Sequence, residues 1–238
     1  MNGAAQLTFD LGQRPALGRE DFLVAPGNEV AVAWIDRWPD WPGPVLALYG
    51  PAGSGKSHLC EVWRAASGAL RIDGEKLAAV EPLELLGEAR AVALDDIEGR
   101  VQADPDSARR LLRLYNLITD RGGHMRLIVR EASALWHVGV SDLRTRLSAV
   151  PAFEVAPPDD AMIEAVMAKL FADRQLRVPA DVVRFFLPRM ERSFAAARAL
   201  VDALDQAALS GRREVTVPLA RQVLASIDDR TAEGGVPD

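Results

Sequence analysis

The stretch VLALYGPAGSGKS, residues 45–57, decides the fold. Its first half, Val45 to Tyr49, is an uninterrupted apolar run with the length of a strand covered on both faces. Its second half, Gly50 to Ser57, satisfies G-x-x-x-x-G-K-[ST], and helical spacing follows from Lys56 to Ala66. A strand, a glycine-rich turn and a helix in that order form a cradle for phosphate groups. Gly50, Gly53 and Gly55 let the backbone turn its N–H groups, that of Ser54 among them, toward phosphate oxygens, and the helix presents its positive end to the same point. Lys56 is placed to reach the β and γ phosphates and the Ser57 hydroxyl to ligate Mg²⁺, with His58 in the same first turn. The expected ligand is ADP or ATP with Mg²⁺.

Working outward, short apolar runs alternate with helical patterns: ALRI (69–72), AVAL (91–94), RLIV (126–129) and FEV (153–155). Buried strands separated by helices predict an α/β fold with a parallel sheet covered on both faces. A helix beginning at Asp104-Pro-Asp-Ser107 carries Leu111, Leu112, Tyr115 and Ile118 at helical spacing. Upstream, a helix over Asn28–Trp38 ends at PDWPGP (39–44), and the tryptophans at 34, 38 and 41 are expected to cover the sheet edge near the phosphate site. Beyond Pro157 the helices follow one another. One is capped by Asp159 or Asp160 and runs through Ala172, one is opened by Pro179, a long one is capped by Ser193, and Pro218 opens the last; EVTV (214–217) is a brief β-like run. The expected organisation is a flexible segment over 1–20, an α/β domain over 21–156, a small all-helical domain over 157–227 and a frayed, disordered tail over 228–238.

The 238 residues are 49% hydrophobic and 26% charged, a composition that buries a core and excludes disorder as a global description. With 28 basic against 34 acidic side chains the net charge is -6, the wrong sign for a stand-alone nucleic-acid binder. Cys60 has no partner for an internal disulfide and the N-terminus lacks a secretory pattern, so a cytoplasmic protein is expected. No apolar run approaches the roughly 20 residues of a membrane helix. His58, His124 and His137 have no metal-ligand spacing with Cys60, which is expected to be a small buried hydrophobe.

A phosphate cradle needs a carboxylate for its metal, and AVALDD supplies Asp95 and Asp96 at a strand's C-terminal end. Asp95 is the candidate Mg²⁺ partner, directly or through water. Asp96 is the candidate for orienting an attacking water toward the γ phosphate.

Together, GPAGSGKSHL (50–59), ALDDIE (93–98), SDLRTRL (141–147) and the helical region that follows resemble the AAA+ ATPases of the DnaA type, from about Phe22 to Ala225. The resemblance implies a P-loop NTPase AAA+ parallel-sheet domain with a small C-terminal all-helical lid domain. DnaA-type initiators carry a further helix-turn-helix domain; nothing follows residue 238 here, so the shorter DnaA-related regulators of the Hda family are the expected relatives. That family has a lead-in of the form Q-L-x-L-x-L that docks on the replication sliding clamp. Here Gln6, Leu7, Phe9 and Leu11 match it, with Phe9 at a leucine position. An extended segment with alternate apolar side chains and one amide suits a partner's apolar pocket.

The same resemblance implies roles for other positions. Asp21-Phe22-Leu23-Val24 with Asn28 would line the adenine pocket. Arg146 would be an arginine finger directed at a neighbouring subunit's nucleotide, Arg144 being the nearby alternative. Arg198, or Arg192 in a shifted register, would approach the phosphates from the lid. One departure stands out: RLIV is followed by Arg130 and Glu131, where the family has a small polar residue after the strand. Poor self-catalysed hydrolysis is the expectation. The implied function is negative regulation of replication initiation, in which the protein, together with the DNA-loaded clamp (the polymerase β subunit), stimulates hydrolysis of DnaA-bound ATP and meets DNA only through the clamp. Self-association stays open. The alternatives are a self-sufficient AAA+ ATPase acting as a helicase loader or nucleic-acid remodeller, and a nucleotide-locked adaptor without catalysis.

Overall fold

In a computed structural model, which describes residues 24, 27–211 and 214–233, the apolar runs form five parallel strands. These are β1 (Val45–Tyr49), β2 (Leu70–Asp73), β3 (Ala91–Asp95), β4 (His124–Val129) and β5 (Ala152–Glu154), in the spatial order β2-β3-β4-β1-β5. Strand β4 lies between β1 and β3. Tyr49 is in register with Val129, and Asp95 with Ile128. Because all strands run the same way, the phosphate loop after β1 and the acids after β3 emerge at one rim, beside the end of β4.

Alternation assigns successive residues to opposite faces, and both faces are apolar. Val45, Ala47, Val92, Leu94, Met125 and Leu127 face one core, covered by α3 (Gly74–Ala79), α4 (Pro82–Leu86), α5 (Glu98–Ala103), α6 (Pro105–Asp120) and α7 (Ser141–Ser148). Leu46, Leu48, Ala91, Ala93 and Ile128 face the other, covered by α1 (Glu29–Asp36) and α2 (Lys56–Ser67). The start of α6 follows from Asp104, whose carboxylate accepts the N–H groups of Asp106 and Ser107 ahead of a proline at the first helical position.

Four helices, α8 (Asp160–Asp173), α9 (Ala180–Phe186), α10 (Phe194–Gly211) and α11 (Val217–Glu233), enclose a separate core that includes Phe171, Phe186, Leu200 and Leu204. Asp159 caps α8 by accepting the Met162 N–H at 2.8 Å. The Ser193 hydroxyl accepts the Ala196 N–H at 3.1 Å at the start of α10. Two expectations are corrected here. EVTV forms no strand: Val215 is buried in the lid core and Val217 already opens α11. The stretch expected to fray from 228 continues as helix to Glu233, since no helix breaker intervenes before Gly234. Among the described residues no helix is long and apolar enough to cross a membrane.

The tryptophans divide. Trp34 stacks on Phe153 of the edge strand β5, with ring centroids 5.1 Å apart, as an edge cover should. Trp38 and Trp41 meet His124 edge-on, and His124 opens β4. They therefore lie at the opposite end of the sheet from the phosphate loop, not near it. The reason is connectivity: PDWPGP leads into the N-terminal end of β1.

Arg126 occupies the middle of the sheet with no exposed surface. Its guanidinium is 4.5 Å from the Trp63 ring and 5.3 Å from the Trp41 ring, and Nη1 donates to the Leu59 carbonyl at 3.0 Å. Among the described residues Nε and Nη2 have no hydrogen-bond partner. Desolvation pulls its pKa down. Attraction to the rings contributes about 2 kcal/mol, against several for taking the charge out of water. Arg126→Met, which fills the space without the charge, is expected to raise stability by about 1–4 kcal/mol, whereas Arg126→Ala lowers it by opening a cavity. Urea unfolding of both variants checks this, and a large loss for the methionine variant would contradict it.

Candidate functional site

The loop after β1 is held by its own geometry. Gly50 has φ 149°, and a Cβ there would stand 2.3 Å from the Val155 carbonyl oxygen. Gly53 has φ 75°, and a Cβ there would stand 2.4 Å from the Ser193 Cβ of the lid. The Phe194 N–H donates to the Gly53 carbonyl at 3.3 Å, so the first turn of α10 touches the loop directly. A cleft of about 390 Å³ opens between them.

Beside Ile128, Val129 and Arg130 at the end of β4, three groups of side chains line this cleft. The first comes from the loop and α2: Lys56, Ser57 and His58. Lys56 is 8% exposed, and its Nζ donates to the carbonyls of Gly50 at 2.7 Å and Pro51 at 2.6 Å. Burial lowers its pKa, an effect that Glu98 and Asp95 oppose. The second group is acidic: Asp95, Asp96 and Glu98. Asp96 takes a left-handed conformation, φ 53°, which turns the chain sharply from β3 toward α5. The third comes from the lid, where Phe194 and Arg198 face the cleft.

Arg198 and Arg192 part company here. Arg192 binds Asp160 through Nε at 2.8 Å and is not part of the lining, whereas Arg198 is. Gly50 and Ser54 sit behind the lining, the Ser54 hydroxyl being buried without a hydrogen-bond partner among the described residues. The adenine-pocket expectation is not reproduced by the described part of the segment. Val24 is 52% exposed and Asn28 is buried at the start of α1, where its carbonyl accepts the Val32 N–H; neither lines the cleft. Phe22, like Gln6, Leu7, Phe9 and Leu11, lies outside the described residues.

Glu98 was not among the expected site residues. Its Oε2 accepts the Arg130 N–H at 2.8 Å, and the Arg130 carbonyl accepts the Gly50 N–H at 3.2 Å. The Glu98 carboxylate thus ties α5 to the end of β4, where a small polar residue was missing, and the Arg130 carbonyl in turn holds the phosphate loop. Burial raises its pKa, against the Arg130 N–H and charge, which lower it. The signal lay in ALDDIE, where Glu98 follows the two aspartates and opens α5.

Asp95 does not present a free carboxylate for a metal. Arg71 Nη2 donates to its Oδ2 at 2.6 Å. Beside the Ser57 hydroxyl that leaves Asp96, the paired Asp95 and Glu98 with one oxygen on the Arg130 N–H, a donor set that fits Mg²⁺ poorly. Among the described residues no group of three or more His, Cys, Asp or Glu side chains is placed to hold a metal ion. Cys60 is 1% exposed, and burial pushes its thiol up to about 12, as befits a small core residue. Arg146 lies elsewhere, on the exposed side of α7, with its guanidinium 5.1 Å from the Tyr115 ring.

The sheet order, the phosphate loop and a helical lid meeting over one cleft define a P-loop AAA+ nucleotide-binding fold. Residues 159–224 match the family model described as the lid domain of Hda. Domain III of the replication initiation protein DnaA from Thermotoga maritima is similar with a TM-score of 0.73 at 19% identity, over 89% of this chain and 97% of that one. DnaA from Aquifex aeolicus, bound to AMPPCP, is similar with a TM-score of 0.70 at 14% identity, over 83% of this chain and 67% of that one. The RuvB Holliday junction branch migration motor of Thermotoga maritima gives 0.61 at 13% identity, over 77% and 61%. In fold the chain is similar to the AAA+ domains of these proteins, and residues 159–224 carry the match to the Hda lid.

The two lid arginines provide a test of the cleft. Arg198→Ala is expected to weaken ADP binding by about tenfold or more, the loss of a charge-assisted bond. Arg192→Ala leaves it unchanged. Calorimetric titration compares them, and equal losses would remove Arg198 from the site.

Proposed function

We propose that this protein binds ADP or ATP in the cleft and acts as a negative regulator of replication initiation, stimulating hydrolysis of DnaA-bound ATP together with the DNA-loaded sliding clamp. The observation that carries this is the pairing of an Hda-like lid with an exposed arginine that is not part of the lining of the chain's own cleft. Exposed on α7 against the Tyr115 ring, Arg146 would be free to meet a partner's nucleotide. Contact with the Tyr115 ring restricts its rotamers and so reduces the ordering cost of presentation.

In the chain's own cleft, the loop amides, Lys56 and Arg198 hold the phosphates. Asp96 lines the cleft and would orient a water, but the end of β4 offers Val129 and the backbone of Arg130, so slow self-hydrolysis is expected. That balance suits a protein that works while retaining its nucleotide. Gln6, Leu7, Phe9 and Leu11 would tether it to the clamp, and tethering raises effective concentration enough for a modest contact with DnaA to suffice. A complete phosphate loop with two following acids also favours a second assignment, a self-sufficient ATPase that loads a helicase or remodels nucleic acid. Such a protein would hydrolyse ATP unaided and form rings.

Arg146→Ala is expected to keep ADP and clamp binding yet lose about 10³-fold or more of its stimulation of DnaA-bound ATP turnover. Single-turnover assays with loaded clamp measure it; equal stimulation by the variant would refute the finger assignment. Replacing Gln6 and Leu7 by Ala should abolish clamp pull-down while ADP affinity holds. Retained pull-down would remove the tether from the proposal.

A further inference from the structure

Arg71 lies outside the cleft and reaches one of its acids from the neighbouring strand. It stands on β2 in register with Ala93, so it shares a sheet face with Asp95 two residues further along β3. The resulting bond, Nη2 to Asp95 Oδ2 at 2.6 Å, joins two charged groups, one of them only 15% exposed. The arginine is steered from behind as well. Its Nη1 is 3.7 Å from Glu61 Oε1 on α2, and Glu61 accepts two bonds from Arg64 at 2.8 and 2.7 Å. A chain of alternating charges therefore runs from the phosphate-loop helix through β2 to the acid at the rim.

We propose that Arg71 is a built-in counter-cation for Asp95, which makes ADP binding in this cleft largely independent of Mg²⁺. The inference rests on the nucleotide-binding part of the proposed function. Mg²⁺ takes a rigid octahedral shell of oxygens, loses its waters reluctantly and is held at phosphate sites by one or two carboxylates. At Asp95 one oxygen is already committed to a charge-assisted bond, and the charge that would attract a hydrated dication is balanced by the guanidinium. Glu98 does not replace it, because Oε2 holds the Arg130 N–H. Phosphate charge is met instead by cations fixed in the protein, Lys56 and Arg198.

The test is calorimetric titration of the full chain with ADP, once in excess Mg²⁺ and once in EDTA. Coupling between a metal and a nucleotide is reciprocal, so the ratio of the two affinities measures it directly. The wild-type ratio is expected to be about threefold or less, and that of Arg71→Gln about tenfold or more, with Arg71→Lys close to wild type. Thermal unfolding confirms that the variants fold; should Arg71→Gln not fold, the wild-type ratio decides alone. A wild-type ratio above about tenfold overturns the inference, as does a folded Arg71→Gln with the wild-type ratio. No heat with ADP in either buffer would sink the nucleotide assignment itself, whereas strong binding that demands Mg²⁺ would sink only the role of Arg71.

Discussion

The position of β4 between β1 and β3 is the constraint on which the rest of the structure depends. Parallel pairing brings three strand ends to one rim, and two short bonds finish the arrangement there. Gly50 donates to the Arg130 carbonyl, and Arg130 donates to Glu98, so loop, central strand and acid cluster are fixed relative to one another through backbone groups. Side-chain identity matters less at that point than register. A slip of one residue would turn every strand side chain to the other face, exposing Arg126 to a different core and carrying Asp95 away from the rim.

Much of this was legible because it is local. An apolar run, a glycine motif and a helical pattern sit within a dozen or so residues, and Val45–Tyr49 and Lys56–Ser67 fall where that pattern puts them. Caps at Asp104, Asp159 and Ser193 were legible for the same reason. What stayed hidden is non-local. The Arg71–Asp95 bond spans 24 residues and the Arg130–Glu98 bond 32, and no spacing rule links such positions. Arg126 likewise sits within a strand pattern, and its burial is due to Trp41 and Trp63 arriving from two other segments. The placing of Trp38 and Trp41 failed because proximity in sequence to the phosphate loop was taken for proximity in space. A five-residue strand separates the two by the full height of the sheet.

The arginines of the molecule fall into different environments, and environment assigns their work. Arg198 faces the cleft; Arg192, six residues earlier and ahead of α10, is paired with Asp160. Arg146 rests on an aromatic ring at the surface, and Arg126 is closed between two such rings in the interior. Identical guanidinium chemistry thus serves a cleft lining, an ion pair within the lid, an exposed surface group and a core packing element. Only burial and neighbours distinguish them, which is why a motif such as DLRTRL identifies a candidate without revealing which way it points.

Trp63 lies near the far end of the helix whose first residue is Lys56, and its indole is stacked on that of Trp41 beside the Arg126 guanidinium. A helix moves as a rod. Any tilt of α2 as its leading end takes up or releases phosphate would slide one indole across the other and alter the nearby positive charge. The emission spectrum of the intact chain therefore offers an optical gauge of events at the opposite end of the sheet, with no added label.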